Sequence, residues 1–206
     1  WPTVRKLAEP RRNPVAWSPT ELRQLWQSLA DLPGHVAGVP APLWWQAYHL
    51  VAWDTGERHS ARMALRWDCF SDLASGRGVF PAASRKGGAA DLAAERHPAT
   101  ANLLAQVRSL GAERPHAWDR SPLYFYARYA EVLRAAGLPA DRAHQSHCLR
   151  RSFATHLAAR GIARADVSAH LGQTDPAVVS RYIDVTQVEA VRPCDFLFRL
   201  GEGGRE

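Results

Sequence analysis

Apolar positions along this chain recur mostly at the three- and four-residue spacing of amphipathic helices. The stretch SPTELRQLWQSL, residues 18–29, is a clean helix start. Ser18 is placed to cap, Pro19 suits the first helical position, and Glu21 sits where a capping box needs a carboxylate. Pro33, Gly34, Gly38, Pro40 and Pro42 then break the pattern, and a second apolar helix is expected from about Leu43 to Trp53. Trp44 and Trp45 are adjacent on it, so they are not both expected to point inward. A turn at Gly56 and a short helix follow in DTGERHSARMALRW. From Asp68 to His97 the texture changes to short runs punctuated by Gly76, Gly78, Gly87 and Gly88, which predict a small antiparallel sheet with a turn at RKGG. Helical spacing resumes at 99–110 and again at 122–136, the latter ending at Gly137 and Pro139. Leu149, Phe153 and Leu157 mark the next helix, which stops at Gly161. A short helix is expected near 164–171, and Asp175 and Pro176 open a last one carrying Val178, Val179, Tyr182 and Ile183. There is no internal repeat. The predicted fold is mainly α with a small three-stranded antiparallel sheet, an α+β domain.

Composition narrows the picture. The 206 residues are 46% hydrophobic, enough for one packed domain, or one domain and a tail. No apolar run reaches bilayer-spanning length, and the first residues do not read as a signal peptide. The chain begins at Trp1 rather than Met, so further residues are expected upstream. Three cysteines, Cys69, Cys148 and Cys194, supply neither a disulfide framework nor a CxxC pair, which favours a reducing, cytoplasmic compartment. The net charge of +6 favours a polyanionic partner. Residues 1–16 hold Arg5, Lys6, Arg11 and Arg12 among three prolines and read as a basic linker. Lysine is otherwise confined to Lys86, at the predicted hairpin turn.

The stretch HCLRRSFATHL, residues 147–157, sets positive charge beside an apolar stripe. On a helix, His147, Arg150 and Arg151 share one side while Leu149 and Phe153 pack inward. A guanidinium at the edge of a core is costly unless it meets an anion. Phosphate is the natural partner, because the planar fork of arginine matches two of its oxygens. The plainer reading is a surface arginine paired with a carboxylate. His144, His147, Cys148 and His156 fit no standard zinc spacing.

Four blocks in order decide between these readings. HCLRRSFATHLAARGIARADVSAHLGQTDPAVVSRYIDV closely resembles the carboxyl-terminal signature of the tyrosine recombinases, or phage integrases. Tyr182 follows Gln173 by nine residues, the spacing of that family. DTGERHSARMALRWDCF resembles the family's first arginine block, and RKGG falls where the family has its lysine hairpin. The resemblance covers about residues 17–185. It implies a catalytic domain at 17–185 between the linker at 1–16 and a tail at 186–206. It implies Arg58 as the first catalytic arginine, Lys86 as the hairpin lysine, His147 and Arg150 as the His-x-x-Arg pair, and Tyr182 as the nucleophile. Gln173 stands where the family usually has His or Trp. Its amide donates hydrogen bonds but shuttles no protons. Taken alone, Tyr182 reads as a core aromatic, Lys86 as a solvated turn lysine and Arg58 as a helix cap. His170 reads as a packing or surface residue, and Arg151 as support or a DNA-backbone contact.

The implied activity is site-specific cutting and rejoining of double-stranded DNA through a 3′-phosphotyrosine, with no metal, cofactor or ATP. The implied assembly is a homotetramer on DNA, with the tail (Phe196, Leu197, Phe198) docking on its own chain or a neighbour. No membrane partner is expected. Two alternatives stand beside it: a non-catalytic DNA-binding relative whose site decayed at Gln173, and a type IB topoisomerase-like activity.

Overall fold

A computed structural model describes residues 14–74, 77–85, 90–173 and 176–188. The elements run α1 (Pro19–Ser28), β1 (His35–Val36), β2 (Val39–Pro40), α2 (Ala41–Thr55), α3 (His59–Met63), β3 (Arg77–Phe80), β4 (Leu92–Glu95), α4 (Pro98–Ser109), α5 (Pro122–Ala135), α6 (His147–Ala159), α7 (Arg164–His170) and α8 (Pro176–Val179). Helix α1 begins with the capping box that its sequence predicts: Ser18 Oγ accepts from the Glu21 amide and the Glu21 carboxylate accepts from the Ser18 amide. No helix among the described residues is long and apolar enough to cross a membrane.

Helix α2 is the axis of the larger core. It packs against β1, β2, α3, α4 and α6. Its Trp44 and Trp45 are both buried, at 1% and 0% exposure, against the expectation that one would face outward. The reason is that the half-exposed residues of α2, Leu43, Gln46, Leu50, Trp53 and Asp54, lie along one narrow side, and neither ring falls on it. Trp44 Nε1 donates to the Ala117 carbonyl at 3.0 Å, and its ring stacks on Tyr48. Phe125 and Tyr129 of α5 close the cluster from the other side.

The predicted sheet forms as two separate two-stranded antiparallel ladders among the described residues. β3 pairs with β4 from Arg77↔Glu95 to Phe80↔Leu92, and what would be a third strand contributes only the isolated bridge Asp72↔Arg77. The Pro- and Gly-rich break after α1 is itself a hairpin, β1–β2, turned at Ala37 and Gly38, both with positive φ. The turn of RKGG beyond Arg85 lies outside the described residues, as do the linker up to residue 13 and the tail from 189.

A smaller core joins Phe153 and Ala154 of α6 to Val167, Leu171, Val179 and Ile183. Helix α6 therefore belongs to both cores: Cys148 and Leu149 to the larger one, Phe153 and Ala154 to the smaller. The last predicted helix is shorter than its apolar spacing suggests. α8 ends at Val179, and Tyr182 follows in a turn where its amide bonds the Val179 carbonyl at 2.8 Å.

Two expectations follow. Gly56 ends α2 with φ +61°, and an added Cβ would lie 2.8 Å from Phe153 Cε1. Gly56→Ala is expected to lower unfolding free energy by about 2–4 kcal/mol, combining left-handed strain with overpacking. Urea denaturation checks this, and an unchanged midpoint would contradict it. Burial also drives the His49 pKa down to about 4 and that of His116 to about 3, from an ordinary 6.5. Both rings are then neutral in the fold while the unfolded chain takes up protons below 6.5. Their contribution is complete above pH 6.5 and is lost as pH falls toward 4. Denaturation midpoints should be flat from pH 8 to 6.5 and drop between 6.5 and 5, before most carboxylates titrate. His116→Gln should make that drop shallower, with His49, His59 and His147, all lowered to about 4, supplying the rest.

Candidate active site

The site is assembled where helix ends meet. Gly56 turns the chain out of α2, and its carbonyl accepts from Arg150 Nη1 at 2.9 Å. Helix α7 ends in a Schellman motif: Gly172, with φ +62°, donates to Ala169 O and Gln173 N donates to Ser168 O at 2.9 Å. That turn exposes the Leu171 carbonyl, which accepts from Arg150 Nη2 at 2.7 Å. Arg150 is thus 1% exposed and fixed by two backbone carbonyls from different parts of the chain. Its Nε has no partner among the described residues. Burial, then the nearby Arg58, lowers its pKa to about 10, so it remains cationic at neutral pH.

Arg58 arrives from the N-terminus of α3 and is half-buried. The hydrogen-bond network orients the Gln173 amide with its oxygen toward the guanidinium groups. In that orientation Oε1 accepts from Arg58 Nη2 at 2.6 Å and from Arg150 Nη2 at 3.1 Å. One oxygen atom is therefore held by both arginines. Neither pairs with a carboxylate among the described residues. The amide oxygen occupies the kind of position that a non-bridging phosphate oxygen would take.

Tyr182 lies against the same arginine, with the Arg150 Cζ 5.2 Å from its ring centroid. Its ring is 5.6 Å from that of His147, centroid to centroid. Thr155 of α6 holds the tyrosine segment from below. Its hydroxyl donates to Tyr182 O at 3.3 Å and accepts from Asp184 N at 2.9 Å. Tyr182 therefore stands beside Arg150 and His147 of its own chain. His147 is open to solvent on its outer side. Partial desolvation, then the charges of Arg151, Arg150, Arg58 and Arg62, pull its pKa to about 4. The imidazole is neutral at pH 7.

Of the six residues singled out by sequence, five converge here: Arg58, His147, Arg150, Gln173 and Tyr182. Lys86 lies outside the described residues. Arg151 bonds the Ala143 carbonyl at 3.2 Å, a supporting contact. His170 donates from Nε2 to Thr55 O at 2.9 Å and packs on Phe153, so it is a packing residue rather than a substitute for Gln173. Sequence reasoning missed Glu57 and Arg85, a buried ion pair with Arg85 Nη2 2.6 Å from Glu57 Oε1. The signal was present: opposite charges immediately precede Arg58 and Lys86.

No curated protein sequence matches the chain. Among solved structures, XerH site-specific recombinase bound to palindromic difH substrate in a post-cleavage complex is 17% identical, with a TM-score of 0.68 over 95% of this chain and 54% of that one. A λ integrase tetramer bound to a Holliday junction is 16% identical, with a TM-score of 0.65 over 91% of this chain and 53% of that one. The Tn1549 transposon integrase in complex with transposon right end DNA is 9% identical, with a TM-score of 0.69 over 97% of this chain and 69% of that one. The chain thus spans about half to two thirds of the length of these proteins, and at such identities the likeness is one of fold. The model of the phage integrase family matches residues 18–189, and with most of its length inside that match the chain belongs to the phage integrase family.

Proposed function

We propose that this domain cuts and rejoins duplex DNA by transesterification, with Tyr182 as nucleophile. The observation that carries the reading is the convergence of Arg58 and Arg150, neither paired with a carboxylate among the described residues, on one oxygen beside Tyr182. In the reaction the Tyr182 oxygen bonds to phosphorus, the bond from phosphorus to the 5′ oxygen breaks, and a 3′-phosphotyrosine and a free 5′ hydroxyl result. The bond count is conserved, so rejoining needs no ATP. The five-coordinate state carries extra negative charge on its non-bridging oxygens, and two fixed guanidiniums stabilise it. Gln173 swings its amide to donate to the phosphate once an anion replaces its own oxygen.

His147 is the acceptor of the phenolic proton. In the free domain partial desolvation and then the surrounding arginines hold it neutral, ready to accept. The arriving negative charge of the phosphodiester raises its pKa, so proton affinity grows as the reaction proceeds. Lys86 is the donor of a proton to the departing 5′ oxygen. Family likeness and the λ integrase tetramer support a homotetramer acting on DNA, and the tail at 186–206 is the segment we expect to pass between neighbours. A DNA substrate places the work in the cytoplasm, at the nucleoid of a bacterial cell.

The test is covalent capture. Duplexes with a nick just 3′ of the scissile phosphate release a short fragment and trap the adduct, and binding sites come from selection out of a randomised pool. The wild-type protein is expected to form an adduct that survives denaturing electrophoresis, and Tyr182→Phe is expected to form none. Arg150→Ala should slow adduct formation by about 10²–10³-fold, the usual loss when one fixed donor to a developing oxyanion is removed. Adduct from Tyr182→Phe would exclude this nucleophile. Tight binding without adduct, in protein carrying its upstream residues, would favour a non-catalytic DNA binder.

A further inference from the structure

Glu57 and Arg85 are buried, at 1% and 8% exposure, whereas the other arginine–carboxylate pairs among the described residues lie at the surface. Taking an ion pair out of water adds little to stability, because desolvation offsets most of the attraction. What such a pair does supply is a fixed geometry. The Arg85 side chain is fully engaged: Nε donates to Glu57 Oε1 at 2.8 Å, Nη1 to the Ala90 carbonyl at 2.6 Å and Nη2 to the His170 carbonyl at 3.2 Å. The second Glu57 oxygen accepts from the Arg58 amide at 3.2 Å. All three guanidinium nitrogens are thus met by oxygens of the protein itself.

The partners lie on three segments that carry site residues. Glu57 immediately precedes Arg58. His170 closes α7, one residue before the Leu171 carbonyl that holds Arg150 and three before Gln173. Arg85 and Ala90 flank residues 86–89, which begin with Lys86. We propose that the Glu57–Arg85 pair is a positioning clamp that sets the hairpin carrying Lys86 against the Arg58–Arg150 site. It acts on proton delivery to the leaving 5′ oxygen rather than on binding of the phosphate. This rests on the reading of Lys86 as proton donor given above.

A sulfur atom in place of the bridging 5′ oxygen separates the two roles, since a thiolate leaves without a proton. Single-turnover adduct formation is compared on ordinary and 5′-phosphorothiolate duplexes for wild type, Glu57→Gln, Arg85→Lys, Lys86→Ala and Arg150→Ala. The clamp variants are expected to be about 10–100-fold slow on the ordinary duplex, the loss typical of misplacing a reacting group by about 1 Å. On the sulfur substrate they should come within about threefold of wild type, as Lys86→Ala should, while Arg150→Ala stays slow. Equal loss on both substrates, or no loss on either, in Glu57→Gln and Arg85→Lys would overturn the clamp. Failure of Lys86→Ala to recover would overturn the lysine assignment and the clamp with it.

Hydrogen exchange without DNA gives a separate reading. Glu57→Gln should raise exchange about tenfold or more in peptides covering 77–85 and 90–95, with α2 and α5 unchanged. Unchanged exchange in the hairpin would overturn the clamp even if wild type captured no DNA, a result that would instead defeat the recombinase reading. The apolar pair Glu57→Met with Arg85→Met guards against misfolding: it should melt near wild type and still be slow on the ordinary duplex only. Normal rates from this folded double variant would also overturn the proposal.

Discussion

The Arg150 guanidinium, held between the Gly56 and Leu171 carbonyls, is the contact on which the site depends. A cation buried this deeply costs several kcal/mol unless its donors are met, and two backbone oxygens meet part of that cost without neutralising the charge. A carboxylate there would have made a stable ion pair and a poor anion site. Carbonyls leave the positive charge in place. They are also rigid, because each is presented by a helix end whose geometry is set by a left-handed glycine, Gly56 or Gly172. The guanidinium in turn ties the end of α2 to the end of α7, which bear Arg58 and Gln173. Placing the proposed phosphate-binding group and joining the two cores are one interaction.

The larger core makes this possible by holding its own polar groups still. Arg62 is buried, lies over the Tyr48 ring at 4.1 Å and donates to the Tyr48 carbonyl. His49 and His116 stay neutral beside it. The cost is a fold that loses stability on acidification, the gain a positive field behind Arg58 and His147, while the neighbouring Glu57 carboxylate is taken up by Arg85. Tyr182 belongs to the smaller core and to a turn beyond a one-turn helix. Its segment is fastened by Thr155 and by Asp184, which bonds Thr186 and, through Gln187, the backbone at Ala16. Tyr182, the proposed nucleophile, therefore sits on the less extensively packed part of the domain, against a fixed cationic wall.

Much of this was legible in the sequence, for local reasons. Ser18, Pro19 and Glu21 announce α1 because capping is decided within one turn, and Gly137 and Gly161 mark helix ends for the same reason. The His-x-x-Arg spacing and the Tyr182 frame located the site because helix geometry and order along the chain carry that information. What was not legible depends on distant packing. Adjacent Trp44 and Trp45 are both inside because packing covers all of α2 but one narrow side. The third strand dwindles to one bridge, and the helix before Tyr182 stops early because tertiary bonds to Thr155 replace its next turn. The Glu57–Arg85 pair joins residues 28 apart, which no local pattern predicts.

The central claim is that Arg58 and Arg150 form a single anion site, with the Gln173 oxygen as its occupant when no phosphate is bound. Crystals grown with orthovanadate, which adopts the geometry of a five-coordinate phosphate, test it most directly. The expected result is vanadate within hydrogen-bond distance of both guanidiniums and beside the Tyr182 oxygen, with the Gln173 amide turned to donate to it. Vanadate bound to only one of the two arginines, or bound elsewhere while Gln173 keeps both contacts, would contradict the claim.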